Sequence, residues 1–309
     1  MMITNHPLHI MPNGTTKLEE LRDVPFAKMT GSGNDFVFFD GRLVDLPTIT
    51  SPEVIQAICN RHNGIGADGI VILDPCQADD ARSASSSNAP AAGEPAAKIL
   101  YFNSDGSPAD LCGNATLCST VMSVELGFAD SESMELETPA GLIVSRITAG
   151  EPEIDLQPVR TIASDISIGL AAGETRSGYA IAGIPHLVIP CANAETVEIA
   201  TRGPTLRRHP ATGPAGANVN WVSPLPDGSW RYRTYERGVE GETLACGTGA
   251  VATAVLLSTW GMATSPVVIR TSSQRTLTVR LTRIGADLHP SLRGEGRVVF
   301  RGRIGALRS

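Results

Sequence analysis

Two cysteines of this sequence share a local pattern that suits acid–base chemistry. Cys112 and Cys246 each follow a polar loop, are followed by Gly and then by Asn or Thr, and precede a mostly apolar run. Gly113 and Gly247 allow the backbone to approach a ligand closely. The pattern predicts, in each half of the chain, a thiol at the start of a helix that is enclosed by other elements.

A helix start offers unpaired N–H groups and a partial positive charge. It therefore favours the thiolate form of a cysteine, and its N–H groups can also hold a carboxylate. Two such helix starts that face each other would place one sulfur on each face of an amino-acid α-carbon. One thiolate could then remove the α-proton while the opposite thiol donates a proton, which inverts the centre without a cofactor or a metal. A cysteine hydrolase is disfavoured, since two thiols in equivalent places indicate a symmetric pair rather than one nucleophile.

The segments around these cysteines predict a strand-rich α/β chain. Strand patterns occur in VPFAKMTG, DFVFFDG, GIVILD and KILYFN, a helical pattern occurs in SPEVIQAICNRH, and MELETPAGLIVSRITAG has the pattern of a hairpin. The two Cys-Gly segments lie about half of the folded length apart. We therefore expect two pseudo-symmetric domains, each a curved, mostly antiparallel sheet wrapped around a central helix.

The domain assignment places residues 25–148 together with 294–309 in an N-terminal domain, and residues 149–293 in a C-terminal domain. Residues 1–24 are predicted to be a flexible N-terminal extension. Residues 75–98 are rich in Ala, Ser and Pro and contain few large apolar side chains, so they are predicted to be a mobile insertion between two strands.

Composition disfavours several classes of protein. The 309 residues are 42% hydrophobic and 18% charged, which is typical of a soluble globular protein. A net charge of −7 and scattered basic residues argue against nucleic-acid binding. There is no apolar stretch of about 20 residues for a membrane span and no secretory signal pattern. The six cysteines are irregularly spaced, which predicts reduced thiols in a cytoplasmic protein.

Other polar residues lie near the two cysteine loops in the sequence, although each has an ordinary explanation when taken alone. His186 lies in an apolar run, where a buried structural histidine is the usual outcome. Glu236 and Arg237 have the pattern of a surface pair. The residues for which a turn is the ordinary explanation are Asn34, Asn103 and Asn218.

Taken together, these motifs resemble those of the diaminopimelate epimerase family. The matching stretches run in family order from about residue 25 to the C-terminus: KMTGSGNDF from residue 28, RHNGIGADG from 61, FNSDGS from 102, CGN from 112, PH from 185, ANVN from 217, and YERG through ACGTG from 235. The resemblance implies a two-domain, pseudo-symmetric fold and interconversion of LL- and meso-2,6-diaminopimelate without pyridoxal phosphate. It also implies a place in lysine and peptidoglycan precursor biosynthesis and, usually, a homodimer.

The resemblance also implies roles for single residues. Cys112 and Cys246 match the catalytic pair, which His186 and Glu236 are expected to tune, and Glu236 also matches the contact to the reacting amino group. The residues that match the cradle of the reacting carboxylate are Gly113, Asn114, Gly247 and Thr248. The residues that match contacts to the distal amino-acid centre are Asn103, Asn218 and Arg237, and Asn34 matches a further substrate contact.

This sequence departs from the family pattern at a few places. Ile184 stands where many members have Asn before Pro-His, Gly69 stands where some have Gln, and the segment between Arg237 and Cys246 is one residue longer than in many relatives. An alternative is therefore a related two-thiol racemase for another amino acid, such as proline, although proline-type relatives have His at the place of Asn114. A non-catalytic paralogue is a further alternative, which the loss of one cysteine would indicate.

Overall fold

A computed structural model describes residues 17–76, 94–109 and 112–307. Its helices are α1 (Lys17–Glu20), α2 (Leu46–Ile49), α3 (Pro52–Cys59), α4 (Gly113–Glu125), α5 (Ile199–Arg207) and α6 (Gly247–Thr259). Its strands are β1 (Pro25–Gly31), β2 (Asn34–Asp40), β3 (Gly69–Pro75), β4 (Ala97–Asn103), β5 (Met134–Thr138), β6 (Gly141–Thr148), β7 (Glu151–Asp155), β8 (Ile162–Ala163), β9 (Gly178–Ala182), β10 (Ile184–Pro190), β11 (Asn218–Pro224), β12 (Trp230–Glu236), β13 (Gly241–Thr243), β14 (Val267–Arg270), β15 (Thr276–Ile284), β16 (Asp287–Gly294) and β17 (Arg297–Arg303). Short 3-10 helices span Gly41–Leu43, Ala194–Thr196 and Pro210–Thr212.

The order of strand pairings is the same in the two halves of the chain. In the first half β1 and β2 pair antiparallel, β2 and β3 parallel, β3 and β4 antiparallel, β4 and β5 parallel, and β5, β6 and β7 antiparallel. The series β9, β10, β11, β12, β14, β15 and β16 repeats these pairings strand for strand. Strand β17 pairs with β1 as β8 pairs with β9. This repetition confirms the predicted fold class, a mostly antiparallel α/β chain of two pseudo-symmetric halves.

One enclosed helix stands at the same place in each half, α4 between β4 and β5 and α6 between β12 and β14. In α6 every residue from Gly249 to Leu257 is buried. Helix α4 also buries polar residues, and the hydroxyls of Ser119 and Thr120 donate to the carbonyl groups four residues earlier at 2.8 and 3.0 Å. These internal hydrogen bonds allow a helix with hydroxyl side chains to be enclosed without unpaired polar groups at these two positions.

The hydrophobic core follows the two helices. The cluster around α4 takes apolar side chains from β1 to β5, among them Met29, Phe36, Phe38 and Leu136. The cluster around α6 takes side chains from both halves, including Leu117 of α4. The cores of the two halves therefore meet beside the two helices.

The structure describes residues 17–24 of the predicted N-terminal extension. Residues 17–20 form α1, and Leu18 and Leu21 are buried in a hydrophobic cluster with α3, which differs from the expected loose segment because these two leucines have apolar surface to bury. Residues 1–16, and residues 77–93 of the predicted insertion, lie outside the described residues. The domain boundaries stay a prediction. Within the described ranges, no helix has the length and apolar character to cross a lipid bilayer.

Candidate active site

Cys112 and Cys246 occupy equivalent places at the starts of α4 and α6. Each cysteine is the residue that caps a 13-residue helix, with φ and ψ of −132° and 113° for Cys112 and −133° and 110° for Cys246. The residues that follow the helices, Leu126 and Trp260, also agree within a few degrees in φ and ψ. The two thiols are therefore carried by nearly identical backbone.

The two helix starts meet at their glycines. A Cβ atom built on Gly247 would lie 3.9 Å from the Cα of Gly113. Both glycines also lie against the side chain of Leu292, since a Cβ would approach its Cδ2 to 3.5 Å at Gly113 and to 2.9 Å at Gly247. The free N–H groups of the two helices consequently converge on one region, which is the arrangement that can hold a carboxylate.

Burial determines the acidity of both thiols. It raises the pKa of Cys112 to about 11, against the opposing effect of the Ala115 and Asn114 N–H groups. Burial also raises the pKa of Cys246 to about 12, against hydrogen bonds from Thr248, Gly249 and Asn218, and the Glu236 carboxylate raises both values further. The N–H groups at the helix starts favour the thiolates as expected, but burial opposes them more strongly, so the net shift of both pKa values is upward.

The sequence-predicted residues of the second half surround Cys246. The Oγ1 atom of Thr248 lies 3.5 Å from the sulfur, and the amide nitrogen of Asn218 lies 3.8 Å from it. His186 is fully buried, and its Nε2 lies 3.1 Å from Thr248 Oγ1. Burial raises the pKa of Glu236, opposed by hydrogen bonds from Thr243 and from Cys246 itself.

Arg237 is positioned through its backbone, whose N–H donates to Asn218 Oδ1 at 2.8 Å. Its positive charge helps to lower the pKa of His186 to about 3, although burial of the ring is the larger cause. Among the residues that the structure describes, no carboxylate lies within ion-pair distance of its guanidinium. The guanidinium is therefore free to pair with a carboxylate of a ligand.

The sequence-predicted asparagines of the first half form a chain beside Cys112. Asn114 Nδ2 donates to Asn34 Oδ1 at 2.7 Å, and Asn34 Nδ2 donates to Asp68 Oδ2 at 3.0 Å. Asp68 also accepts from Arg61 at 2.7 Å. The Oδ1 atom of Asn114 is buried and has no hydrogen-bond partner, so one acceptor is left open at the start of α4.

Asn103 reaches Cys112 through Tyr101, a residue that the sequence did not single out. The Tyr101 hydroxyl lies 3.2 Å from Asn103 Oδ1, and Asn103 Nδ2 donates to Ser107 Oγ at 3.0 Å. Burial raises the pKa of Tyr101, and its hydrogen bond with Cys112 raises it further. The sequence signal for this contact is weak, because an aromatic residue in a strand is more often part of the core.

Three buried polar residues behind Cys246 were also missed by the sequence. Asn220 Oδ1 accepts from Tyr232 at 2.8 Å and from Thr234 at 3.0 Å, and its Nδ2 lies 3.3 Å from His186 Nδ1. A Cβ atom on Gly249 would overlap the Tyr232 hydroxyl, which explains the second glycine of the Cys-Gly-Thr-Gly motif. The available signal was a polar residue between the apolar residues Val219 and Trp221 of β11, since buried polar groups need partners.

The structure thus brings the residues predicted from the sequence to the two helix starts, directly or through one intervening residue. They are Asn34, Asn103, Gly113, Asn114, His186, Asn218, Glu236, Arg237, Gly247 and Thr248, beside the two cysteines. Across the described residues, no group of three or more His, Cys, Asp or Glu side chains is placed to hold a metal ion.

Solved structures of other proteins have this fold. A hydroxyproline epimerase from Agrobacterium vitis matches 92% of this chain and 93% of its own, with a TM-score of 0.61 and 18% identity. A PhzF-family phenazine biosynthesis protein of Bacillus anthracis matches 90% of this chain and 98% of its own, with a TM-score of 0.65 and 13% identity. At these identities the likeness concerns the fold alone.

Sequence relatives are more specific. The sequence profile of the diaminopimelate epimerase family matches residues 26–161 and 178–283. A diaminopimelate epimerase of Gemmatimonas aurantiaca is 57% identical over 291 residues, which cover 91% of this chain and 99% of the relative. A diaminopimelate epimerase of Aquifex aeolicus is 33% identical and covers 90% of this chain and 97% of its own. The chain therefore belongs to the diaminopimelate epimerase family.

Proposed function

We propose that this protein interconverts LL- and meso-2,6-diaminopimelate by a two-thiol proton transfer at one α-carbon. The observation that carries the proposal is the pair Cys112 and Cys246, which cap two nearly identical helix starts that meet at Gly113 and Gly247. Family membership and the 57% identical relative support the choice of substrate.

In this mechanism the reacting carboxylate binds to the N–H groups of the two helix starts. One sulfur, as thiolate, removes the α-proton and becomes a thiol, while the opposite thiol protonates the α-carbon from the other face and becomes a thiolate. The negative charge that develops on the carboxylate is stabilised by both helix dipoles. The enzyme is left with its thiolate on the other sulfur, ready for the reverse reaction.

The substrate itself would promote formation of the thiolate. Burial raises the pKa of both thiols. Bound substrate would place its α-ammonium beside Glu236 and the open side-chain oxygen of Asn114, whereas the backbone N–H of Asn114 serves the carboxylate cradle. A positive charge close to a thiol favours its thiolate. We therefore assign to Glu236 and Asn114 the role of holding the reacting amino group.

The distal amino-acid centre would be held by Arg237 together with Asn103 and Asn218. The free guanidinium of Arg237 suits the distal carboxylate, because its planar fork matches a carboxylate with two hydrogen bonds. Ile184 begins β10 as Asn34 begins β2, so the two halves present one apolar and one amide side chain at equivalent places.

The same proposal includes the domain boundaries at 148/149 and 293/294, a homodimer and a cytoplasmic location. The homodimer is proposed by analogy with the family to which the chain belongs. The mechanism supports a reducing compartment, since both thiols must stay reduced.

The test is α-proton exchange in D₂O on LL-diaminopimelate without added cofactor, with trans-4-hydroxyproline as a second substrate. We expect deuterium incorporation with conversion to the meso form, and loss of the conversion in Cys112→Ala and Cys246→Ala. Exchange on hydroxyproline alone would refute the substrate assignment. Conversion between the LL and meso forms that persists in either cysteine variant would refute the two-thiol mechanism.

A further inference from the structure

A buried series of hydrogen bonds connects Asn220 to the sulfur of Cys246. Asn220 lies on β11 and is fully buried, and its amide nitrogen is 3.3 Å from His186 Nδ1. His186 Nε2 is 3.1 Å from Thr248 Oγ1, which is 3.5 Å from Cys246 Sγ. The series contains one amide, one imidazole, one hydroxyl and one thiol.

The direction of every hydrogen bond in this series follows from one backbone carbonyl. The carbonyl oxygen of Leu187 lies 2.9 Å from the Asn220 amide nitrogen and can only accept. The opposite atom of the amide, Oδ1, accepts from the hydroxyls of Tyr232 and Thr234. The second N–H of the Asn220 amide therefore points at His186 Nδ1, which must be unprotonated to accept it.

The imidazole then has a single possible tautomer. With Nδ1 unprotonated, the proton of the ring lies on Nε2, which donates to Thr248 Oγ1. The Thr248 hydroxyl has one proton, and with its oxygen already accepting from His186 that proton is directed to Cys246 Sγ. A thiolate gains more from such a donor than a thiol does, because hydrogen bonds to charged groups are stronger.

Among the residues of the first half that the structure describes, no equivalent series leads to Cys112. The parallel pair β2 and β3 of the first half corresponds to β10 and β11 of the second half. The first paired residues are Phe36 and Gly69 in the first half, and His186 and Asn218 in the second, so Phe36 stands where the second half has His186. Two residues after Gly69 on β3 is Val71, and two residues after Asn218 on β11 is Asn220, so Val71 stands where the second half has Asn220. Phe36 and Val71 are buried and apolar, so they offer no hydrogen bond to Asn114, which stands where the second half has Thr248. The hydroxyl that contacts Cys112 belongs to Tyr101, which is bonded to Asn103 and not to an imidazole.

We propose that Asn220 is a positioning residue for Cys246: by fixing the Nε2–H tautomer of His186, it makes the Thr248 hydroxyl a donor to the sulfur and so stabilises the Cys246 thiolate. The proposal rests on the proposed function, in which Cys246 alternates between thiol and thiolate. It concerns one of the two thiols, and it can be measured without substrate.

The first measurement is the ¹⁵N NMR signature of His186 at pH 7, assigned by its absence in His186→Gln. We expect the Nε2–H tautomer. An Nδ1–H tautomer or an imidazolium would overturn the proposal, because either state contradicts the direction of the Asn220 hydrogen bond.

The second measurement is the alkylation rate of each cysteine by iodoacetamide at pH 9, resolved by peptide mass spectrometry. In Asn220→Asp the carboxylate can only accept, so the ring proton moves to Nδ1, and Nε2 then takes the Thr248 hydroxyl proton away from the sulfur. We expect Cys246 to react about tenfold more slowly, as for the loss of a hydrogen bond to a charged group, and Cys112 to react as before. Equal effects on the two cysteines, or no effect on Cys246, would overturn the proposal.

Matched variants separate this role from a loss of stability. Thr234→Val removes one hydroxyl from Asn220 but leaves the amide direction fixed by the Leu187 carbonyl, so Cys246 should keep its wild-type rate. Thr248→Val should slow Cys246 as Asn220→Asp does, and Thr248→Ser should restore the rate. If Thr248→Val slows Cys246 while folded Asn220→Asp does not, the contribution ends at Thr248 and Asn220 has no positioning role. Failure of the proposed function would appear in the substrate-exchange assay and not in these rates.

Discussion

The starts of α4 and α6 have the same backbone but different surroundings. Both present a cysteine, a glycine and the free N–H groups of a helix. Cys112 stands beside an amide chain that ends in a carboxylate, through Asn114, Asn34 and Asp68. Cys246 stands beside a hydroxyl that an imidazole orients. In the proposed mechanism the repeated fold provides a symmetric cradle for a carboxylate, and the side chains behind it make the two faces of that cradle chemically different.

This difference suits a substrate with a stereocentre at each end. The backbone cradle is indifferent to configuration, because a carboxylate looks alike from both sides. The surrounding side chains have to distinguish the amino group and the distal chain, and a symmetric set could not do so. The two halves therefore share the backbone geometry of the helix starts, where the proposed reaction is symmetric. They differ in the surrounding side chains, which have to recognise an asymmetric substrate.

The largest effect is expected from removing each thiol in turn, which tests whether both are needed for turnover. We expect Cys112→Ala and Cys246→Ala to lower kcat by about 10³-fold or more each, since general acid and general base contributions reach about 10²–10⁴-fold. Turnover of LL- and meso-diaminopimelate measures this, with circular dichroism as the control for folding. A single variant that keeps wild-type turnover would show that only one thiol acts.

The second test concerns the third residue of each helix, which is Ala115 in α4 and Gly249 in α6. Gly249→Ala would force a methyl group into the Tyr232 hydroxyl and Asn220, so we expect a loss of about 1–3 kcal/mol in the free energy of unfolding. The reciprocal Ala115→Gly should cost about 1 kcal/mol, from helix propensity and a lost methyl group. Denaturant unfolding measures both. Equal costs would mean that the two helix starts are packed alike.

The third test uses the equivalence of His186 and Phe36. Burial lowers the pKa of His186 from 6.5 to about 3, so its contribution to stability is fully present above pH 6.5. Below pH 6.5 the unfolded chain binds the proton first, and stability falls by about 1.4 kcal/mol per pH unit until the folded histidine titrates. In His186→Phe this part of the slope should vanish, whereas in His62→Phe, at an exposed position, it should remain. Urea midpoints at pH 7, 6 and 5 measure it, and an unchanged slope in His186→Phe would contradict the assignment.

Much of the fold and the central part of the site could be predicted from the sequence. The Cys-Gly repeat predicted the two enclosed helices, because an apolar run after a polar loop has few other solutions. The acidity of the thiols was not predictable, since burial depends on how closely Gly113 and Gly247 meet and on what packs around them. Residues that act through another side chain were also missed, because Asn220 becomes meaningful only when the strands place it beside His186.

Asp68 is a second residue of that kind, and it gives the smallest effect that we predict. As an acceptor it fixes the Asn34 amide, which in turn leaves the Asn114 oxygen open. In Asp68→Asn the remaining oxygen should face Arg61, so the new amide group would face Asn34. Asn34 and then Asn114 would rotate by half a turn, and Asn114 would present N–H groups where an ammonium is to bind. We expect KM for diaminopimelate to rise about tenfold with a smaller change in kcat, as for one lost hydrogen bond to a charged group.

Asp40→Asn is the matched control for this variant. Asp40 pairs with Arg42 at 2.7 Å and accepts a backbone N–H, as Asp68 does, but it lies at the opposite end of β2 from Asn34. Its KM should therefore stay at the wild-type value. Equal KM values for Asp68→Asn and the wild type would mean that the amide chain beside Cys112 does not orient the substrate. In that case the difference between the two helix starts would depend on the Cys246 side alone.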